Sequence, residues 1–325
     1  MKCINKCRFW AWILILPLLL SSCGKKAPDP NAYQVFESSV EYGITKGSTP
    51  DEIGLFADRL CIPKEKNVAV KKVDSDLAEA GCVFNETTGT VLYAKNIFEK
   101  KYPASTTKIL TAYVALKYGD LNEVYTITEN ACVQSSDSTV AGLLPGDKIT
   151  LNDLLYGMML VSGNDAAIAI AEGISGDTKR FVSLMNEEAK RLGATHSHFV
   201  TPNGLHDDEH YTCVYDMYLI FSAAIQKKKF VSLIDKATYT ANFEGKDGSA
   251  RQKTWENTNG YLTGEYAVPE GISIVGGKTG TTSQAGSCLV LFSRNARKEK
   301  IISIVFHADY RYTLFQLMSQ LLGLA

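Results

Sequence analysis

A serine placed three residues ahead of a lysine, in Ser105-Thr106-Thr107-Lys108, is the first pair in this chain able to act together chemically. On a helix, positions i and i+3 share a face with Cβ atoms about 5–6 Å apart. A serine hydroxyl becomes a useful nucleophile when a neighbouring base takes its proton. Lysine is such a base when burial or a second cation brings its pKa well below ~10.4. A helix starting at Ser105, just after Pro103-Ala104, would also aim free backbone N–H groups and the positive dipole end at a reacting carbonyl.

Two further motifs could complete a site. Ser162-Gly163-Asn164 falls between an apolar segment ending at Leu160 and an alanine-rich one beginning at Asp165. A loop there could project a hydroxyl that relays a proton and an amide that holds Lys108 or a peptide. Lys278-Thr279-Gly280 lies on a β-prone run. A strand edge pairs with an extended peptide through backbone hydrogen bonds. Lys278 and Thr279 offer a cation and a hydroxyl to a carboxylate, and Gly280 would let a substrate approach the backbone closely. Each motif alone also fits a plain structural role: a polar N-cap with a surface lysine, a capped helix break, a β-turn with a solvated lysine. Their order along the chain is what points to one site.

The elements that must position these residues are legible as patterns. Gly81–Phe84 and Thr90–Tyr93 flank Glu86-Thr87-Thr88-Gly89, a hairpin signal. Helical periodicity covers Ser105–Tyr118, Leu151–Leu160 and Asp165–Glu172. Asp177 is expected to cap the next helix and Gly193 to end it, and Cys213–Ala224 continues the helical block. Lys227-Lys228-Lys229 reads as a helix C-terminus complementing the dipole. Strand patterns return at Ile272–Val275, leading into Gly276-Gly277-Lys278-Thr279-Gly280, at Ser287–Ser293 and at Lys300–His307, before an amphipathic Arg311–Leu322. Strands far apart in sequence that share one sheet predict an α+β fold with a helical insertion.

Composition excludes more than it identifies. Lys+Arg number 34 and Asp+Glu 35, so the net charge of −1 gives no reason to expect nucleic acid. The N-terminus is more informative. Lys2, Lys6 and Arg8 precede the apolar run Phe9–Leu20, too short to span a bilayer comfortably, and then Leu20-Ser21-Ser22-Cys23. This looks like a bacterial lipoprotein signal over residues 1–22, with Cys23 lipidated and the protein exported to the outer face of the cytoplasmic membrane. Residues 23–67 then read as a tether, with one short helix near Asp51–Leu60, and 68–325 as the folded domain. Cys61, Cys82, Cys132, Cys213 and Cys288 remain as an odd, widely spaced set, expected to be buried and chemically quiet.

The three motifs together resemble those of the penicillin-recognising serine enzymes, and within them the low-molecular-mass penicillin-binding proteins that act as D-Ala-D-Ala carboxypeptidases. The resemblance extends to Ser162-Gly163-Asn164-Asp165-Ala166-Ala167, Phe199…Asn203-Gly204-Leu205, Tyr215-Asp216-Met217, Asn257-Thr258-Asn259 and Gly277-Lys278-Thr279-Gly280-Thr281-Thr282. It implies a β-lactamase/transpeptidase-like fold, an antiparallel sheet of about five strands flanked by helices plus an all-helical subdomain. It implies Ser105 as the acyl-ester nucleophile, Lys108 as proton acceptor, Ser162 as relay to the leaving D-alanine, and Asn164 as orienting group. Lys278 and Thr279 would bind the terminal carboxylate, and the N–H groups of Ser105 and Thr281 the oxyanion. Substrates would be peptidoglycan stem peptides ending in D-Ala-D-Ala, with β-lactams as inhibitors, no metal or organic cofactor, and a monomer. Members of the family often carry a β-rich C-terminal domain and a terminal amphipathic anchor; here lipid on Cys23 is expected to substitute at the opposite end.

Three rival readings arise from particular residues. A β-lactamase would need a deacylating carboxylate between the second and third motifs, where Glu187 and Glu188 fall within a predicted helix. A penicillin sensor would keep the same residues but not turn over. The histidines His196, His198, His206 and His210 form a short tract of the kind that can bind metal.

Overall fold

At Glu86-Thr87-Thr88-Gly89 the chain reverses, with Gly89 at φ +68°, and pairs β1 (Ala80–Asn85) with β2 (Thr90–Lys95). Asn85 closes the turn by accepting from the N–H groups of Thr87 and Thr88, both at 3.1 Å. The computed structural model describes residues 60–134 and 138–325. The signal, Cys23 and all but the last residue of the short helix expected near Asp51–Leu60 lie outside the described residues.

The helical block follows: α1 (Lys108–Tyr118), α2 (Glu129–Cys132), α3 (Leu151–Met159), α4 (Asn164–Ser175), α5 (Thr178–Arg191), α6 (Val214–Ile225) and α7 (Lys228–Ile234). Asp177 caps α5 by accepting from Arg180 N–H at 2.8 Å, and Gly193 follows it at φ +85°. Then come β7 (Ser273–Thr282), β8 (Gly286–Arg294), β9 (Lys300–Ala308) and α8 (Arg311–Leu322).

Among the described residues, β1, β2, β7, β8 and β9 form an antiparallel sheet in the order β2-β1-β9-β8-β7. The first two strands of the chain thus join the last three, as the pattern required. The inner strands are buried on both faces, and alternate residues separate two cores. Cys82, Phe84, Ile302, Ile304 and Phe306 face the helical block. Val83, Leu289, Leu291, Ile301 and Val305 lie under Leu314, Phe315, Met318 and Leu321 of α8. β7 ends the sheet, so the Lys278-Thr279-Gly280 strand presents one edge away from its neighbours.

Two features depart from the sequence reading. A second antiparallel sheet, β3-β4-β5-β6, is formed by Val124–Thr126, Lys148–Thr150, Thr238–Glu244 and Ala250–Glu256. Its long hairpin shows only a weak apolar alternation, Tyr239, Ala241, Phe243, with polar residues between. The lysine run also differs. α6 stops at Ile225, Lys227 is the N-cap of α7, and Lys228 and Lys229 begin that helix. Lys227 and Lys229 lie over the rings of Tyr113 and Tyr156, at 5.4 and 4.5 Å, rather than over the carbonyls of α6.

Candidate active site

Ser105 does not open an α-helix. It sits in a tight 3₁₀ turn, Ala104–Thr107, from which α1 continues at Lys108. The reason is local: the N–H and hydroxyl of Thr106 both donate to Pro103 O, at 3.2 and 2.7 Å, winding the chain at the i+3 spacing. Ala104 enters this turn at φ +46°, a left-handed conformation costing ~1–3 kcal/mol for a residue with a side chain. Gly204 braces it. At φ +84°, a Cβ there would fall 1.9 Å from Ala104 O, so only bare backbone can lie against the turn.

One winding later, Lys108 points into the fold and is fully buried. Its Nζ lies 2.9 Å from Ser105 Oγ, 2.8 Å from Asn164 Oδ1 and 2.7 Å from Asn203 O. Burial holds its pKa well below the ordinary lysine value, the charge of Lys278 lowers it further, and Asp165 opposes both. Lys278 is equally buried, and burial pushes its pKa down to about 7.

The loop supplying Asn203 O is fixed by a buried histidine. His210 Nδ1 accepts from the N–H groups of Val200 and Thr201 at 3.1 and 3.3 Å. That leaves Nε2 protonated, donating to Thr107 Oγ1 at 2.8 Å. Burial lowers the His210 pKa to about 4, so the ring stays neutral across the working range. Thr111 adds a second tie, its hydroxyl 2.6 Å from Pro202 O.

Ser162 and Asn164 occupy the break between α3 and α4. Ser162 is at φ +65° and nearly buried. Gly163 N–H donates to Gly157 O and Asn164 N–H to Thr139 O, at 3.1 and 2.9 Å. Asp165, the next residue, receives the N–H groups of Ala141, Gly142 and Leu143 at 2.7–3.1 Å.

On β7, strand alternation places Lys278 and Gly280 on one face and Thr279 and Thr281 on the other. A Cβ on Gly280 would lie 2.9 Å from Ser105 N, 3.0 Å from Thr106 N and 3.1 Å from Pro103 O. The missing side chain therefore lets the strand approach the Ser105 turn. Thr279 Oγ1 lies 2.6 Å from Thr258 Oγ1, and Thr281 is exposed near the strand end.

Lys108 and Gly280 thus touch the Ser105 turn directly and Asn164 reaches it through Lys108, with Ser162 two residues from Asn164 and Lys278, Thr279 and Thr281 on the strand of Gly280. The sequence reading gave no role to Asn203, Asp165, Thr258 or Arg311. Arg311 donates to Thr258 O at 3.0 Å and pairs with Glu265 at 2.6 Å, setting a second cation near Thr279. Three of the four lie in segments singled out for their resemblance, but a carbonyl acceptor or a buried anion carries no signature of its own.

Apart from His210, which braces the Ser105 turn through Thr107, the groups behind the rival readings are engaged in other contacts. Glu188 is fully buried, and although burial alone would raise its pKa, Lys117, Tyr118 and Arg191 hold it below the usual value. Its carboxylate receives Lys117 Nζ at 2.6 Å and Tyr118 OH at 2.7 Å, while Glu187 pairs with Arg191 at 3.6 Å. His198 Nδ1 is 2.6 Å from Glu209 O, His206 packs edge-on to Tyr102, and His196 lies 3.8 Å from Asp216. No group of three or more His, Cys, Asp or Glu among the described residues could hold a metal ion. The five cysteines described are free thiols, four of them buried, and burial raises the pKa of each.

The sequence and the fold have counterparts in known proteins. A D-alanyl-D-alanine carboxypeptidase of Streptomyces sp. is 34% identical over 239 residues, 70% of this chain and 80% of the relative. Two others, from Bacillus subtilis and Escherichia coli, are 32% and 33% identical over 71% and 83% of this chain, which spans 58% and 65% of their own lengths. Among solved structures, the Streptomyces DD-transpeptidase matches with a TM-score of 0.71 and 32% identity, covering 76% of this chain and 96% of that one. Penicillin-binding protein 5 from Haemophilus influenzae matches at 0.69 and 30%, covering 79% and 72%. A family model described as D-alanyl-D-alanine carboxypeptidase matches residues 66–310, which hold every motif around the Ser105 turn, and the chain belongs to that family.

Proposed function

We propose that this chain is a serine-type, penicillin-binding D-alanyl-D-alanine carboxypeptidase that removes the terminal D-alanine of peptidoglycan stem peptides through an acyl-enzyme on Ser105. The observation that carries this reading is the buried Lys108 amine held 2.9 Å from Ser105 Oγ by two further acceptors. Ser105 Oγ attacks the carbonyl between the last two D-alanines as its proton passes to Lys108 Nζ. The N–H groups of Ser105 and Thr281 take the developing oxyanion, each such donor being worth about 10²–10³ in rate. Ser162 returns the proton to the leaving amine, and Asn164 keeps Lys108 and the peptide in register. Lys278 and Thr279 receive the terminal carboxylate, so a free C-terminus is required. Water then releases the shortened peptide, and a β-lactam acylates the same serine. The reaction needs no metal or organic cofactor.

Lipid on Cys23 would tether the enzyme, as a monomer, to the outer face of the cytoplasmic membrane; the tether expected over residues 23–67 is shorter than that, because Cys61 is already buried in the domain core, its N–H donating to the Tyr218 hydroxyl at 2.8 Å. Loss of membrane fractionation in Cys23→Ala tests that part. For the activity, the measurement is D-alanine released from a peptide ending in D-Ala-D-Ala, by the parent and by Ser105→Ala. Release by the parent alone is expected. No release by a parent that still forms a stable penicillin adduct would turn the reading to a sensor.

A further inference from the structure

Asp165 is almost completely buried, and the described structure gives it no cation within ion-pair distance. Its Oδ1 receives Ala141 N–H at 2.7 Å and Ala166 N–H at 2.8 Å, and its Oδ2 receives Gly142 at 2.9 Å and Leu143 at 3.1 Å. Four backbone donors satisfy an anion without neutralising it. A carboxylate in the first turn of α4 is further favoured by the helix dipole.

The strap it binds is wedged against the Ser162-Gly163-Asn164 turn from three sides. Thr139 O accepts Asn164 N–H at 2.9 Å, and Ala141 O accepts Trp255 Nε1–H at 2.9 Å from β6. A Cβ on Gly163 would lie 2.8 Å from Ala141 N and from Asp165 Oδ1. Asn164, directly before Asp165 in the chain, holds the Lys108 amine. The carboxylate is therefore one residue from the group that orients the base, and it anchors the backbone that orients that group.

We propose that Asp165 is a positioning residue with two effects: it ties the Ala141–Leu143 strap to the Ser162–Asn164 turn, and it sets a fixed negative charge one residue from the side chain that holds the Lys108 amine. The inference rests on the reading of Ser105 and Lys108 as nucleophile and base. The charged groups acting on Lys108 come from three elements: Asp165 on α4, Lys278 on β7, and His210 on the loop behind Asn203, which is neutral above about pH 4. Burial does most to lower the pH at which Lys108 becomes a base; Lys278 lowers it further and Asp165 raises it.

The sign gives a test that damage alone does not mimic. Acylation requires neutral Lys108, so its rate rises with pH through the Lys108 pKa. Removing the Asp165 charge should move that acid limb to lower pH, while loosening the strap should lower the plateau by about 10–10²-fold, the scale of a small misplacement. The experiment is the pH dependence of Ser105 acylation by a fluorescent penicillin, in the full chain and in Asp165→Asn, Asp165→Glu and Trp255→Phe. Trp255→Phe loosens the strap and leaves the charge, so its plateau should fall with the limb unmoved. Asp165→Asn should lower the plateau and shift the limb down. An Asp165→Asn limb that stays in place, or a Trp255→Phe limb that moves equally, overturns the charge effect. If Asp165→Asn does not fold, Asp165→Glu decides: a lowered plateau with the limb in place supports the proposal, and a wild-type profile overturns it. Absence of acylation in the unaltered chain would instead count against the nucleophile assignment itself.

Discussion

Lys108 Nζ lies 2.9 Å from Ser105 Oγ while the same nitrogen faces two other acceptors, Asn164 Oδ1 and Asn203 O. An ammonium has three protons and no lone pair. With all three directed at these acceptors, charged Lys108 donates to Ser105, the wrong direction for a base. The neutral amine keeps two protons for Asn164 and Asn203 and turns its lone pair to the serine hydroxyl. Lys108→Met preserves the bulk and removes the base. Penicillin labelling of Ser105 should slow by about 10²–10⁴-fold, the range for a positioned proton acceptor. Labelling within tenfold of the parent, in a variant that melts cooperatively, would exclude Lys108 as the base.

The two buried lysines also predict the shape of the pH profile. Burial first, and then the Lys278 charge, place the Lys108 pKa well below 10.5, so kcat/KM should rise on an acid limb far below that value. Lys278 acts in the opposite sense. Its pKa is about 7 in the free enzyme, and above it the cation offered to the substrate carboxylate is lost. A bound carboxylate favours the charged form, so kcat should persist to higher pH than kcat/KM. Since the two amines interact, the limbs belong to the pair rather than to single residues. D-alanine release measured from pH 5 to 10 tests this; superimposable profiles for kcat and kcat/KM would contradict the role given to Lys278.

Much of this arrangement was legible because it depends on patterns that repeat. Hairpin punctuation at Thr88-Gly89, apolar runs at Ser287–Ser293 and Lys300–His307, and the Asp177 cap all follow from local chemistry, and each element lies where that chemistry puts it. The helix expected at Ser105 is delayed to Lys108 because Thr106 winds the chain back onto Pro103 O and Ala104 enters the turn left-handed, and the backbone that lies against this turn is Gly204, a hundred residues distant along the chain. The second sheet was missed because only β5 alternates apolar with polar residues, while its partner β6 buries Trp255 alone and is otherwise mostly polar or charged. Asn203 contributes a backbone carbonyl, which any residue could supply, and Asp165 acts through backbone N–H groups. Such roles are set by tertiary approach and leave no trace in residue type.

Close approach makes a third prediction. The strand carrying Lys278 meets the Ser105 turn through Gly280, where a methyl group would lie 2.9 Å from Ser105 N. The obstacle is backbone on both sides, so a side-chain rotation cannot relieve it. Gly280→Ala should push the β7 edge away from the serine while leaving Lys108 and its three acceptors in place. The loss should therefore appear as slower acylation, roughly 10²-fold for a displacement near 1 Å, with little change in the acid limb. A Gly280→Ala enzyme acylating at the parental rate would show that the two segments need not touch.

Lys278 carries a cost in stability that the carboxylate-binding role proposed for it would explain. An amine with a pKa of 10.5 when exposed and about 7 when folded binds its proton more weakly in the native state. Between those values the unfolded chain holds more protons, so this residue makes stability rise with pH; below about 7 its full penalty applies. Lys278→Met removes the penalty and fills the same apolar surroundings. The variant should melt higher than the parent at pH 6, and the difference should shrink as pH approaches 10. For a domain of this size each kcal/mol is roughly 2–4 °C in the midpoint, so the gain should be several degrees. Peptide hydrolysis should fall in the same variant, chiefly through KM, since the carboxylate loses its cation. A variant no more stable than the parent at pH 6 would mean that Lys278 is relieved of its burial cost by another route. Higher stability with lower activity would identify this strand as a place where the fold is held back from its most stable sequence by what the site must bind.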